Sequence, residues 1–374
     1  MSKLQRAAAK MVCAGFYGTS IPKELGDLIA RGIGGVVFFS RNVESPQQFA
    51  QLAADLKDLA DGRPLLTSID QEGGRVMRLR EPFTIIPPMR AVGAAGDANL
   101  AREIGRVLAR ELRAVNVDMN LAPVLDVDTN PDNPVIGARS FGRDADLVAQ
   151  MGCALLRGLQ DEGVAACGKH FPGHGDTSQD SHVDLPALNH PLERLLMVEL
   201  RPFKAAIAAG VSAIMSAHVI FRPIDDNFPA TLSEPVLNGL LRKRLMYDGV
   251  IISDAMDMKA ITDHFGFDDA IVRGARAGID LFMLCHSHEQ QYRAIEVLVK
   301  AMENGELSRQ RVTEAGDRLD RLFAKFVQPP TRGALPAFIG SPEHQAVAQR
   351  IIELSDPASH AVAHDPTEPP AAPV

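Results

Sequence analysis

The chain has 374 residues, 46% of them hydrophobic, and a formal net charge of −8. That length and apolar share suit a globular protein with a large core, in one domain or two. The negative balance argues against non-specific nucleic-acid binding, and no run of about 18 apolar residues is present to span a membrane.

The opening residues, MSKLQR and then alanines, lack the apolar stretch of a secretory signal, so the cytoplasm is the expected location. Residues 11–16 and 35–40 are the first two strand candidates. Residues 65–69 form a third and run into DQEGGRV at 70–76, with Arg78 just beyond. Leu100, Ile104, Leu108 and Leu112 recur every fourth position and predict a helix. Strand candidates follow at 117–121 and 163–170, separated by a helix patterned on Leu147, Met151, Leu155 and Leu159. Three more lie at 210–216, 249–254 and 278–284, and Ser233 before Pro235 marks a helix start between the first two of these.

Five of these strands open on a glycine, which suits the left-handed position just after a helix. Short continuous apolar runs suit strands buried on both faces of a parallel sheet. Eight strands alternating with helices predict a closed (β/α)₈ barrel of the TIM type in a single domain. An open doubly wound sheet is the alternative, but no GxGxxG follows a strand and no Walker loop is present. Cys13, Cys153, Cys167 and Cys285 form no CxxC pair and read as buried free thiols. We place the barrel at 1–327, a linker and one packing helix at 328–355, and a disordered tail rich in proline and alanine at 356–374.

In such a barrel the active site forms at the carboxyl ends of the strands. Asp70, Asp126, Lys169 with His170, His218 and Asp254 all fall there. Any one of them could simply cap a loop; five from five strands predict a convergent pocket. Asp257 reads instead as a charge favoured by a helix amino terminus. The densest segment is KHFPGHGDTSQDSH at 169–182, and two readings of it stand. His170, His174, His182 and Asp176 are plausible metal ligands, although the spacing is not that of a helical pair. Alternatively Asp180 and His182, two apart on an extended segment, face the same side, and the carboxylate orients the imidazole for acid–base work.

These motifs resemble glycoside hydrolase family 3, specifically its bacterial β-N-acetylglucosaminidases of the NagZ type. The similarity runs in order through DQEGGRV, APVLDV at 122–127, ARSFG at 138–142, the histidine loop, MSAHV at 215–219 and SDAM at 253–256. The resemblance implies Asp254 as nucleophile, His182 as general acid/base and Asp180 as its partner. It implies that Asp70, Arg78, Arg139, Lys169 and His170 bind the terminal sugar, and that no metal or other cofactor is needed. The expected activity is retaining exo-hydrolysis of β-linked GlcNAc from muropeptides in peptidoglycan recycling, or from chito-oligosaccharides. The expected protein is a monomer with no nucleic-acid or membrane partner. A β-glucosidase or broad hexosidase, a GlcNAc phosphorylase, a metal-dependent barrel hydrolase and a non-catalytic sugar-binding protein are the alternatives.

Overall fold

A computed structural model describes residues 2–178 and 185–360. Asp180 and His182 lie outside the described residues.

Eight strands close into an all-parallel barrel. They are β1 (Val12–Ala14), β2 (Gly35–Phe38), β3 (Leu66–Ile69), β4 (Met119–Asn120), β5 (Ala165–Phe171), β6 (Ala213–Ser216), β7 (Val250–Ala255) and β8 (Leu281–Leu284). Each pairs with the next in sequence, and β8 returns to β1 through Val12 opposite Phe282. The predicted (β/α)₈ topology is therefore present, with all eight strands inside or overlapping their expected spans.

Alternation along the strands builds two cores. Val37, Leu66, Met119, Cys167, Met215, Ile252 and Met283 point inward and fill the barrel. Val36, Ile69, Ile214, Ile251 and Phe282 point outward under the ring of helices. The helix Arg309–Phe326 closes the bottom by adding Leu319, Leu322, Phe323 and Phe326 to the inner core. All four cysteines are buried and free.

The predicted helices fall at Ala98–Ala114 and Ala145–Asp161, capped by the Asp97 and Asp144 carboxylates. After Pro235 the chain forms a π-helix over Pro235–Arg244, and Ser233 Oγ accepts the Val236 amide at 3.3 Å. The glycine expectation is met at Gly163, Gly210 and Gly278, which have positive φ. It fails at Gly35 and Gly249, where Gly32 and Met246 take the left-handed position instead. A Cβ on Gly249 would sit 2.3 Å from the Tyr247 hydroxyl, so close packing is what requires glycine there.

The segment after the barrel lies along its outer layer. Asn116 grips Thr331 in both directions, and the Gln328 amide donates to Asp118 at 3.4 Å. The helix Pro342–Leu354 packs on the helices Met89–Ala95 and Ala98–Ala114. Buried Glu111 ties it down, accepting from His344 Nδ1 at 2.9 Å, Gly340 N at 2.9 Å and Thr84 Oγ1 at 2.6 Å. Residues 356–360 open the stretch whose composition predicts a disordered tail. Within them Pro357–His360 makes a 3-10 turn, held by a 2.6 Å hydrogen bond between Ser355 Oγ and His360 Nε2.

Candidate active site

Two β-bulges interrupt the barrel where polar residues replace the apolar run. In β7 the register against β8 slips between Ile252 and Ala255, so Ser253 and Asp254 together face one residue. Ser253 Oγ fills the gap by accepting the Met283 amide at 3.0 Å. In β5 the register against β6 slips between Gly168 and Phe171, at Lys169 and His170. Bulges re-aim side chains, and both fall on residues singled out from the sequence.

On β3 the chain turns straight into a small hairpin, Gln71–Gly73 against Val76–Met77. Gln71 braces it, with Oε1 accepting the Arg78 and Leu79 amides at 2.9 and 3.0 Å. Gly73 and Gly74 supply the positive φ values of the turn. The hairpin returns Arg78 beside Asp70, with Nη2 3.4 Å from Oδ2. Lys169 Nζ reaches from β5 to Asp70 Oδ1 at 2.7 Å and Glu72 Oε1 at 2.6 Å. Arg139 completes the chain of charges with a two-pronged contact to Glu72 at 2.8 and 2.9 Å.

Two cations and two carboxylates thus interleave in a nearly buried array, with Arg78 behind it. Burial opposes ionisation of Asp70, but the charges of Lys169 and Arg78 outweigh it and hold its pKa below the ordinary carboxylate value. The same contest holds Glu72 well down, with Arg139 its strongest counter-charge. Burial works against the Lys169 ammonium too, and Asp70 and Glu72 more than restore it. Asp70 alone keeps appreciable solvent contact, at 14% side-chain exposure. It is the member placed to accept a ligand hydroxyl.

Beside this array, buried Asp126 organises two histidines. It accepts from the His170 ring at Nδ1, 2.7 Å away, and from the His174 amide at 2.7 Å. A carboxylate only accepts, so the His170 ring carries a proton on Nδ1 and turns Nε2 away from Asp126. Burial opposes the Asp126 charge, yet His170 keeps its pKa below normal. Burial and the neighbouring His170 lower His174 to about 4, so it is neutral at pH 7. Just after β6, His218 Nε2 donates to the Ala255 carbonyl at 3.0 Å and locks the end of β7 that carries Asp254. Asp254 is half-buried, its Oδ1 accepting the Ala255 amide at 2.8 Å. In the strand order β7 stands four places from β3 in either direction, so Asp254 lies across the mouth from Asp70.

A barrel whose mouth carries this motif order matches "Glycosyl hydrolase family 3 N terminal domain" over residues 17–322. The chain belongs to glycoside hydrolase family 3. A β-hexosaminidase of Thiobacillus denitrificans is 41% identical over 309 residues, covering 81% of this chain and 83% of that one. A family 3 β-N-acetylglucosaminidase structure from Paenibacillus sp. FPU-7 superposes with a TM-score of 0.91 at 43% identity, over 95% of this chain and 69% of that one. The NagZ structure from Neisseria gonorrhoeae in complex with N-trifluoroacetyl-D-glucosamine gives a TM-score of 0.75 at 32% identity, over 92% of this chain and 98% of that one.

Within this family 3 barrel, Asp70, Arg78, Arg139, Lys169 and His170 meet in one contiguous region, and Asp254 stands opposite. Among the described residues no group of three or more His, Cys, Asp or Glu is arranged to hold a metal. Asp176 turns to His190 and Thr129, while His174 Nδ1 pairs with Thr177 Oγ1 at 2.8 Å. Asp257 is not the helix-end charge expected of it. Its carboxylate folds inward and accepts the Cys285 amide at 3.0 Å, bracing the end of β8, and burial pushes its pKa up. One structural member of the site was not selected from the sequence: Glu72, which links Lys169 to Arg139; Asp126 was among the strand-end residues expected to converge, but not as the partner of His170. The usable signal for Glu72 was the Gly-Gly pair after it, which forces the hairpin that sets Glu72 and Arg78 around Asp70.

Proposed function

We propose that this protein is a retaining exo-β-N-acetylglucosaminidase. The observation that carries the reading is Asp254, a half-buried carboxylate on a bulge, across the barrel mouth from the Asp70–Lys169–Arg78 array. The names of its relatives agree with that reading.

The array supports a site for one terminal sugar. Arg78 and Lys169 expose 0% and 3% of their side chains, so protein rather than solvent lies behind Asp70, which favours a single terminal sugar there. Cleavage then removes one terminal unit at a time. Asp70 takes a sugar hydroxyl with His170 nearby, Arg78 and Lys169 hold Asp70 ionised and in place, and Arg139 acts through Glu72. Asp254 attacks the anomeric carbon, and the bond to the leaving oxygen breaks as His182, oriented by Asp180, delivers a proton. The resulting glycosyl-aspartate ester is opened by water, which His182 deprotonates, and the configuration is retained. A histidine titrating near pH 6.5 suits both halves of that cycle.

The natural substrate in this reading is a GlcNAc-containing muropeptide met in the cytoplasm during cell-wall recycling. Mass spectrometry of anhydro-muropeptides incubated with the protein should show loss of one N-acetylhexosamine. A mechanism-based fluorosugar should add one glycosyl unit at Asp254; labelling that survives Asp254→Ala overturns the nucleophile assignment.

A further inference from the structure

The histidine loop leaves β5 and returns near β6, and its two stems are stitched to different parts of the barrel. The leading stem, 174–177, lies on the loop after β4. Asn133 Nδ2 donates to the His174 carbonyl at 2.8 Å and Asn130 Nδ2 to the Thr177 carbonyl at 3.1 Å. Gly175 presses so close that a Cβ there would sit 1.9 Å from the Val127 carbonyl oxygen. The returning stem pairs with the chain after β6, Ala187 and Leu188 running parallel to Ile220 and Phe221.

Asp176 joins the two stems. Its Oδ1 accepts from Thr129 Oγ1 at 2.6 Å, on the β4 side. Its Oδ2 accepts from His190 Nε2, on the returning stem. Arg194 stands behind, with Nη2 3.6 Å from Asp176 Oδ2 and 3.2 Å from Glu199 Oε1. Glu199 is itself 1% exposed and packed on Gly173, where a Cβ would lie 2.8 Å from the Glu199 Cβ. A bridge between positions 176 and 190 converts the chain between them into a short closed loop, and closing it in advance removes conformational freedom from whatever it carries. That stretch contains Asp180 and His182.

We propose that Asp176 and His190 are positioning residues for the proton-donating histidine: their hydrogen bond, anchored by Thr129, sets where the loop delivers His182. The inference rests on the acid/base role proposed above for His182. Neither residue contacts the reacting atoms in this scheme. Their contribution is to geometry, where a displacement of about 1 Å costs on the order of 10²-fold.

The test uses the leaving group as a gauge of proton delivery. A 2,4-dinitrophenyl GlcNAc glycoside departs without a proton, whereas chitobiose needs one. The full chain is compared with Asp176→Ala, His190→Ala, His190→Gln, Thr129→Val and His182→Ala, reading kcat/KM on both substrates and circular dichroism for folding. Asp176→Ala and His190→Ala should lose about 10- to 100-fold on chitobiose, within the range general acid catalysis supplies, and stay near wild type on the dinitrophenyl glycoside. His190→Gln, which keeps an N–H donor, should recover most of the loss. Equal loss on both substrates, or no loss on chitobiose, overturns the proposal. If Asp176→Ala does not fold, His190→Ala and Thr129→Val give the same reading. If His182→Ala itself fails to separate the two substrates, the acid/base assignment falls and takes this inference with it. If His182→Ala separates them and the clasp variants do not, only the clasp is wrong.

Discussion

Both ends of the barrel hold buried carboxylates among arginines and lysines, and the two sets differ in what remains open. At the bottom, Asp280 precedes β8 and is fully buried. It meets Arg242 at 2.5 Å, Arg311 at 2.9 Å and the Ile251 amide at 3.0 Å. Asp118 precedes β4 in the same way and meets Lys57 at 2.7 Å and Thr67 Oγ1 at 2.9 Å. Every partner belongs to the chain. At the top, Asp70 follows β3 and Asp254 ends β7, and both keep a face toward solvent. The side-chain chemistry is alike at the two ends. Asp280 and Asp118, before their strands, are consumed by the scaffold; Asp70 and Asp254 are held by it and left with capacity for a ligand, while Asp126 at the same end is spent on His170 and His174.

The comparison breaks if the two sets respond alike to mutation. The largest effect should come at the top: Asp254→Ala is expected to cut kcat/KM by on the order of 10⁴-fold while leaving the thermal midpoint nearly unchanged. Asp280→Ala should do the reverse. It strands Arg242 and Arg311 as uncompensated buried charges, costing roughly 3–5 kcal/mol in urea unfolding, with kcat preserved in the fraction that folds. Lys169→Met should fall between, losing about 10²- to 10³-fold in kcat/KM because Asp70 and Glu72 then repel each other in a buried array. A loss confined to KM would mean that the array binds without serving the transition state.

The smallest effect sharpens the contrast by pH. His174 is lowered by burial to about 4 from 6.5, so between those values the unfolded chain binds a proton that the folded one does not. Stability should therefore fall as pH drops from about 6.5 to about 4 and level off below, by at most on the order of 3 kcal/mol. Urea midpoints of wild type and His174→Asn across that range check it; a variant with the same slope removes His174 as the cause.

Much of the architecture was legible because barrel strands are short apolar runs between helices of regular period. Asp70 and Asp254 were legible for the same reason, since a charge that ends such a run has only the mouth to face. The bulges at 169–170 and 253–254 were not, because a register slip depends on the neighbouring strand and leaves no mark in its own sequence. Glu72 escaped selection, and Asp126 was picked out without its role, because both depend on partners distant in sequence, Arg139 and His170. Asp257 was misread because a carboxylate near a helix start is equally able to cap an adjacent strand end, as it does here for Cys285. Of the loop's candidate metal ligands, His174 pairs with Thr177 and Asp176 with His190, contacts that composition alone could not reveal.

The attachment of residues 328–355 bears on how the enzyme can be shortened. A truncation after Phe326 looks natural, since the last barrel helix ends there. It would strip Glu111 of its Gly340 and His344 donors and Asn116 of its Thr331 contacts, and it would uncover the apolar side of two helices. The smallest soluble catalytic fragment should therefore reach at least to His360, and fusion partners are best joined beyond that point.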